Sequence, residues 1–103
     1  MPRTIVKTSP ISEAVNRRFF VAIDALVNLG KIDSLSHFCE LHNLSAPRYR
    51  EMRLGYGTTP KPGYQTRYKN LEVEALYTVV ANYPISAHWL LTGRGEMMTE
   101  KKK

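Results

Sequence analysis

The sequence has one cysteine, Cys39, among 103 residues, so no disulfide can form within the chain. A single thiol fits a reducing compartment. No apolar run approaches the roughly 20 residues that a membrane-spanning helix needs, and residues 1–10 lack the apolar stretch of a signal peptide. These absences argue against a disulfide-rich secreted domain and against a membrane protein, and they predict a cytoplasmic protein.

The sequence also has little that indicates catalysis or metal binding. No glycine-rich phosphate loop follows a strand, and no serine, cysteine or acid stands beside a plausible base in a motif of known mechanism. His37, Cys39 and His42 are close in sequence, but they lack a second ligand pair at the spacing of zinc sites, and Cys39 occupies a packing position. We therefore expect a protein that is not an enzyme and that carries no metal and no cofactor.

Acidic residues are nearly absent from residues 43–69, where Glu51 stands alone against six basic residues. This stretch supplies five units of the formal net charge of +6, and the flanking parts of the chain are close to neutral. A localised positive excess provides the salt-dependent attraction to phosphates that nucleic-acid binding requires. The alternative interpretation is a solvated charged loop without a partner.

Apolar residues at helical spacing predict five helices and hence an all-α domain over residues 11–96. Residues 1–10 are predicted to be a flexible arm, and residues 97–103 a disordered basic tail. The helices are expected between these start and stop signals: Ser9 or Ser12 to Gly30, Asp33 or Ser34 to Asn43, Ser45 to Gly55, Leu71 to Pro84, and Ser86 to Thr92-Gly93.

Residues 34–55 are the most informative part of the chain, because they combine two short amphipathic helices with a tight turn between them. The second of these helices is basic. Such a pair can lay one helix across a duplex and insert the other into the major groove. The pattern predicts sequence-specific binding of double-stranded DNA, with a recognition helix at about residues 45–54.

Two runs of residues resemble a known family. Residues 38–45 resemble the Leu-Ala-Glu-Leu-Leu-Gly-Ile-Ser stretch of the phage-repressor (lambda-repressor-like, xenobiotic-response-element) helix-turn-helix family; here they read Phe38-Cys39-Glu40-Leu41-His42-Asn43-Leu44-Ser45. The closing segment is similar to the Val-Ser-x-x-Trp-Leu-Leu-Thr-Gly-x-Gly ending of these repressors, and it reads Ile85-Ser86-Ala87-His88-Trp89-Leu90-Leu91-Thr92-Gly93-Arg94-Gly95. The resemblance covers roughly residues 14–97 and implies a compact five-helix transcriptional regulator.

The resemblance also implies which residues meet base edges at the start of the recognition helix: Ser45, Ala46, Pro47, Arg50 and Glu51. Ala46 and Pro47 can offer only apolar contact, for instance to a thymine methyl group. Arg50 can hold a guanine edge through two donors, and Glu51 can accept from cytosine. The alternative for each is a phosphate contact or a solvated side chain.

Residues 56–70 depart from the family, because they form a long basic loop where the relatives have a short turn between the third and fourth helices. Tyrosines are interleaved there with basic residues, so we expect Lys61, Tyr64, Arg67 and Lys69 to contact the DNA backbone. The resemblance implies that Arg48, in the recognition helix, also lies close to the backbone. A hairpin or small wing around residues 61–63 would suit that role. The alternative is that the tyrosines pack back on the helices and cover the core.

A homodimer is expected, because one short recognition helix reads too few bases and a second copy adds a half-site about one helical turn away. Trp89 and Leu90 of the last helix are the predicted dimer surface. The rival hypothesis is an antitoxin-like interaction module whose main partner is a second protein, with DNA binding secondary or lost.

Overall fold

A computed structural model of the protein describes residues 9–99, and its longest helix, α1, spans Pro10–Asn28. The hydroxyl of Ser9 caps this helix by accepting a hydrogen bond from the Ser12 amide at 3.0 Å. Helix α1 packs against three others, and it contributes much of the core through a buried face of Val15, Asn16, Phe19, Phe20, Ala22, Ile23 and Leu26. It ends just before Gly30, whose φ of +78° closes it as the sequence predicts.

Two helices follow in close succession, α2 (Leu35–Leu41) and α3 (Ala46–Tyr56), and they pack against each other. Ser34 and Ser45 cap them through their hydroxyls. Asn43, between them, has a φ of +61°, a left-handed conformation that asparagine tolerates better than most residues. Helix α3 continues one residue past the predicted end at Gly55, and that residue, Tyr56, is buried in the core.

The last two helices are α4 (Val73–Asn82) and α5 (Ala87–Thr92). Arg18 of α1 secures α5, since its guanidinium donates to the carbonyls of Leu90 at 2.8 Å and Leu91 at 3.1 Å. Those carbonyls lie at a helix C-terminus, where a cation is favourable. Gly93 ends α5 in the left-handed conformation, as the sequence predicts.

The chain beyond α5 returns to pair with the residues that precede it. The Ser86 amide donates to the Met97 carbonyl at 2.8 Å, and the Thr99 amide donates to the Pro84 carbonyl at 3.0 Å. Residues 97–99 therefore belong to the folded part, in contrast to the predicted disordered tail. Of the other terminal predictions, residues 1–8 and 100–103 lie outside the described part, and Pro10 opens α1 rather than ending an arm.

The core is built from aromatic rings that meet at the crossing of α1, α2 and α3. The Phe19 ring lies 5.1 Å from Phe20, 6.1 Å from Phe38 and 6.0 Å from Tyr49, centroid to centroid. Over residues 9–99 the fold is all-helical, with five helices and no strand apart from the isolated Ile85–Met98 bridge. None of these helices has the length and apolar character needed to cross a membrane.

Candidate nucleic-acid interface

Helix α3 presents three distinct faces. One is buried in the core through Tyr49, Met52 and Tyr56. A second faces the chain that connects α3 to α4, which we call the α3–α4 segment (residues 57–72), and it carries Arg48, Glu51 and Gly55. The third is exposed and consists of Pro47, Arg50 and Leu54, which we call the exposed stripe. Each set repeats at helical spacing, so the exposed stripe and the face toward the segment adjoin along the helix.

The start of α3 holds most of the residues expected to read bases. Pro47 and Arg50 are exposed, and Ala46 is partly covered. The Ser45 hydroxyl accepts from the Arg48 amide at 3.3 Å, which is a helix-capping role. Arg50 reaches back to α2, where one terminal nitrogen donates to the Ser36 hydroxyl at 3.0 Å. Arg50 thus keeps most of its donors available, because a guanidinium has five.

Glu51 and Arg67, expected to contact DNA separately, bind each other. The Arg67 guanidinium donates to Glu51 Oε1 at 3.2 Å, and the Arg67 amide donates to Oε2 at 3.3 Å. The Thr66 hydroxyl approaches Oε2 at 3.5 Å. These hydrogen bonds from Arg67 hold the pKa of the Glu51 carboxyl below its usual range. Both carboxylate oxygens are engaged, so Glu51 is not the unpaired acceptor that contact with cytosine requires.

Arg48 makes a second connection to the α3–α4 segment. Its guanidinium donates to the Asn70 carbonyl at 3.2 Å, lies 3.9 Å from the Glu72 carboxylate and stacks 4.9 Å from the Tyr68 ring centroid. Glu72 in turn accepts from the Tyr49 hydroxyl at 2.7 Å, and burial together with this bond raises the pKa of Tyr49. Arg48 therefore has a structural role between α3 and the start of α4.

The remaining residues of the α3–α4 segment divide into anchored and exposed ones. Lys61 is exposed, with its ammonium 5.8 Å from the Tyr64 ring centroid, and its amide donates to the Leu54 carbonyl at 2.8 Å. A turn closes from Lys61 to Tyr64 with Gly63 at a φ of +75°, but no strand follows it in the described chain. Lys69 is partly covered, and its carbonyl accepts from Asn16 at 2.8 Å.

Two of the three tyrosines in residues 56–70 pack against the helices, which is the alternative to a role in contacting DNA. Tyr56 is buried, and Tyr68 packs against the core cluster, so both cover apolar surface. Tyr64 stays partly exposed beside Lys61. The α3–α4 segment is therefore a folded extension of the domain with an exposed basic surface.

His37 and Cys39 of α2, and His42 just after it, lie in separate structural environments. Cys39 is buried, and burial raises the pKa of its thiol to about 11. His37 accepts from the Asp33 amide at 3.0 Å, and His42 Nε2 lies 2.8 Å from the Tyr83 hydroxyl. Among residues 9–99, no three or more His, Cys, Asp or Glu side chains are grouped so that they can hold a metal ion.

The two residues predicted to form the dimer surface, Trp89 and Leu90, are largely covered within the protomer. Leu90 is 1% exposed and belongs to the core, so its side chain supports α5 within the protomer, and Trp89 also packs partly against that core. Helix α5 has only six residues, so the spacing of its apolar residues does not separate a buried side from an exposed one. The large apolar side chains that are exposed nearby are Val73, Tyr77 and Leu91, which line a groove between α4 and α5.

Three residues in the contacts between the helices and the α3–α4 segment are not predicted from the sequence: Asn16, Thr66 and Glu72. Asn16 carried a usable signal, because it is a polar residue at helical spacing from Phe19 on the buried face of α1. Thr66 is buried and Glu72 bonds to Tyr49, but nothing in their local sequence marks either contact.

Comparison of the chain with protein-family models, with curated proteins and with solved structures finds no match. The resemblance to a repressor family therefore stays a prediction from the residue pattern.

Proposed function

We propose that the protein is a transcriptional regulator of the phage-repressor type, which binds double-stranded DNA with α3 in the major groove. The observation that carries the proposal is the exposed stripe of α3, which adjoins the basic α3–α4 segment. Five units of the net charge fall within residues 43–69, and Arg50, Lys61 and Arg67 are exposed there. A helix beside a concentrated positive surface can approach bases while its neighbours neutralise phosphates.

Readout of base identity is assigned chiefly to Arg50. Its bond to Ser36 is to a neutral hydroxyl at an exposed position, so a guanine edge can replace it at little cost. Ala46 and Pro47 add apolar contact at the start of the helix, and Ser45 supplies its cap. Lys61, Tyr64, Arg67 and Lys69 are assigned to the phosphate backbone.

The experiment is selection of bound sites from random duplex DNA at a low and a moderate salt concentration. We expect an inverted repeat to be enriched, with half-sites about one helical turn apart. Arg50→Ala is expected to relax the preference at one position of each half-site by about 1–3 kcal/mol, whereas Lys31→Ala, which removes an exposed charge from outside residues 43–69, leaves the preference unchanged. No enrichment at either salt concentration would contradict the proposal.

A second candidate function is an antitoxin-like module whose main partner is another protein. The groove between α4 and α5 favours it, because Val73, Tyr77 and Leu91 expose apolar side chains there. The same face would serve a homodimer, so oligomeric state separates the two. A dimer at micromolar concentration that Tyr77→Asp dissociates, together with enrichment of an inverted repeat, supports the regulator. A stable monomer without DNA enrichment supports the module.

A further inference from the structure

Residues 66–70 are held along one side of α3 by side chains from two helices. Glu51 and Arg48 of α3 contact this stretch, which we call the basic strip. Asn16 of α1 donates to the carbonyl of Lys69 at 2.8 Å, and Asn16 itself is buried. The basic strip therefore has three separate attachments to the helices within five residues.

Glu51 makes the attachment at the beginning of the basic strip, and the two partners of this ion pair differ in exposure. The Glu51 side chain is 19% exposed, whereas that of its partner Arg67 is 75% exposed. Thr66, which precedes Arg67, is 3% exposed, and its hydroxyl both approaches Glu51 and accepts from the Tyr68 amide at 3.1 Å. The Glu51 carboxylate is thus largely covered, and the Arg67 guanidinium projects toward solvent.

The side of α3 that holds the strip adjoins the exposed stripe. Arg48 and Glu51 come one residue after Pro47 and Arg50 respectively, which is about 100° around a helix. A duplex that meets the exposed stripe would therefore also meet the basic strip.

We propose that Glu51 is a positioning residue for DNA binding: it holds the basic strip beside α3, so that Arg67 contacts a backbone phosphate next to the groove that α3 enters. This inference rests on the proposed function. It assigns Glu51 a role through Arg67, in place of the base contact expected from the sequence. Arg67 has five donors, and those not used by Glu51 remain for a phosphate.

The test measures the binding of two fluorescent duplexes, one with the selected site and one with a scrambled sequence, over a series of salt concentrations. We expect Glu51→Ala to weaken binding to all sequences alike and to make the slope of log affinity against log salt shallower by about one, because one phosphate contact is lost. Glu74→Ala is the matched control. It removes the same charge from an exposed position on α4, and its slope is expected to equal that of the wild type.

Hydrogen exchange supplies a readout that needs no DNA. The amides of Arg67 and Tyr68 bond to Glu51 and Thr66, so both are expected to exchange several-fold faster in Glu51→Ala, while amides inside α1 keep their protection. Glu51→Gln, which keeps two polar atoms at the same place, is expected to give an intermediate rate and an intermediate slope.

Three results would overturn the inference. An unchanged slope with an altered sequence preference would make Glu51 a base reader. A steeper slope with tighter binding would make it a competitor that withholds Arg67 from DNA. Unchanged exchange at Arg67 and Tyr68 would show that the strip does not depend on Glu51. If the wild type binds no duplex at any salt concentration, the proposed function fails instead, and hydrogen exchange still reports on the attachment.

Discussion

The core around α1 and the α3–α4 segment are held in place by different kinds of interaction. In the core, the Phe19 ring packs edge to face with Phe20 and with Phe38, and apolar contacts dominate. In the segment, directional contacts add to the packing of Tyr68: these are the Glu51–Arg67 pair and the bond from Arg48 to Asn70. The first kind of interaction gains from total apolar area, whereas the second depends on a few atoms in the right place.

Substitutions in the core should therefore affect the whole domain, and substitutions in the segment should have local effects. A cavity in the core weakens several helices at once, because α1 contacts α2, α3 and α5. A lost hydrogen bond in the segment is largely replaced by water, since most of its residues are exposed or half-buried. We therefore expect core substitutions to change global stability and segment substitutions to change local order and binding.

The largest expected effect is that of Phe19→Ala. Phe19 is fully buried and contacts three other rings, so its removal should lower the free energy of unfolding by about 3–5 kcal/mol. Urea denaturation followed by circular dichroism measures this. Val21→Ala, at an exposed position on the same helix, is the control and should cost far less. A loss for Phe19→Ala no greater than that for Val21→Ala would contradict the comparison.

The next effect is expected at the junction of the two regions, in Gly57→Ala. An added Cβ would lie 2.6 Å from the Arg53 carbonyl oxygen and 2.5 Å from Arg53 Cγ, so the end of α3 must shift. We expect a loss of about 1–3 kcal/mol, as for other overpacked sites. Thr59→Ala, which is exposed two residues later, should be nearly neutral in the same denaturation experiment. A neutral Gly57→Ala would mean that the segment adjusts freely and is not coupled to α3.

The sequence predicts the core region well, because its information is local and periodic. Apolar residues at helical spacing identify α1, and the serine caps and left-handed glycines mark helix ends within a few residues. The predicted all-helical class and the five helices are confirmed over residues 9–99. Errors of one or two residues arise at ends such as that of α2, where His42 rather than Asn43 follows the last helical residue.

The candidate site is less predictable, because its contacts join residues that are distant in the chain. Arg67 and Glu51 are 16 residues apart, and Asn16 and Lys69 are 53 apart. Composition shows that the segment is basic, but it cannot show which charged groups neutralise each other. Leu90 illustrates the same limit, since α5 is too short for periodicity to separate its buried side from its exposed side.

A smaller effect is expected for Ser45→Ala, at the start of the helix proposed to enter the groove. Loss of the hydroxyl that accepts from the Arg48 amide should cost about 1 kcal/mol of stability. Ser45→Asn, which can cap equally well, should restore it. Thermal unfolding measures both variants, and DNA selection shows whether sequence preference follows the cap. If Ser45→Asn restores stability but alters the selected site, Ser45 also reads a base.

The smallest expected effect concerns the pH dependence of the Glu51–Arg67 pair, and it tests whether the α3–α4 segment depends on charge. Because the pKa of Glu51 is lower in the folded protein than its ordinary value near 4.3, its contribution to stability is fully present at neutral pH. That contribution should fade as the pH falls below 4.3 and through the folded pKa, where the carboxyl is protonated. We therefore expect the difference in Tm between the wild type and Glu51→Gln to be constant from pH 7 to about pH 5.5 and to vanish on further acidification. Glu74→Gln should show no such convergence, since Glu74 is exposed on α4. A difference that persists below the folded pKa would mean that the segment is held by shape and neutral hydrogen bonds, as the core is held by packing, and that the two regions are less different than their contacts suggest.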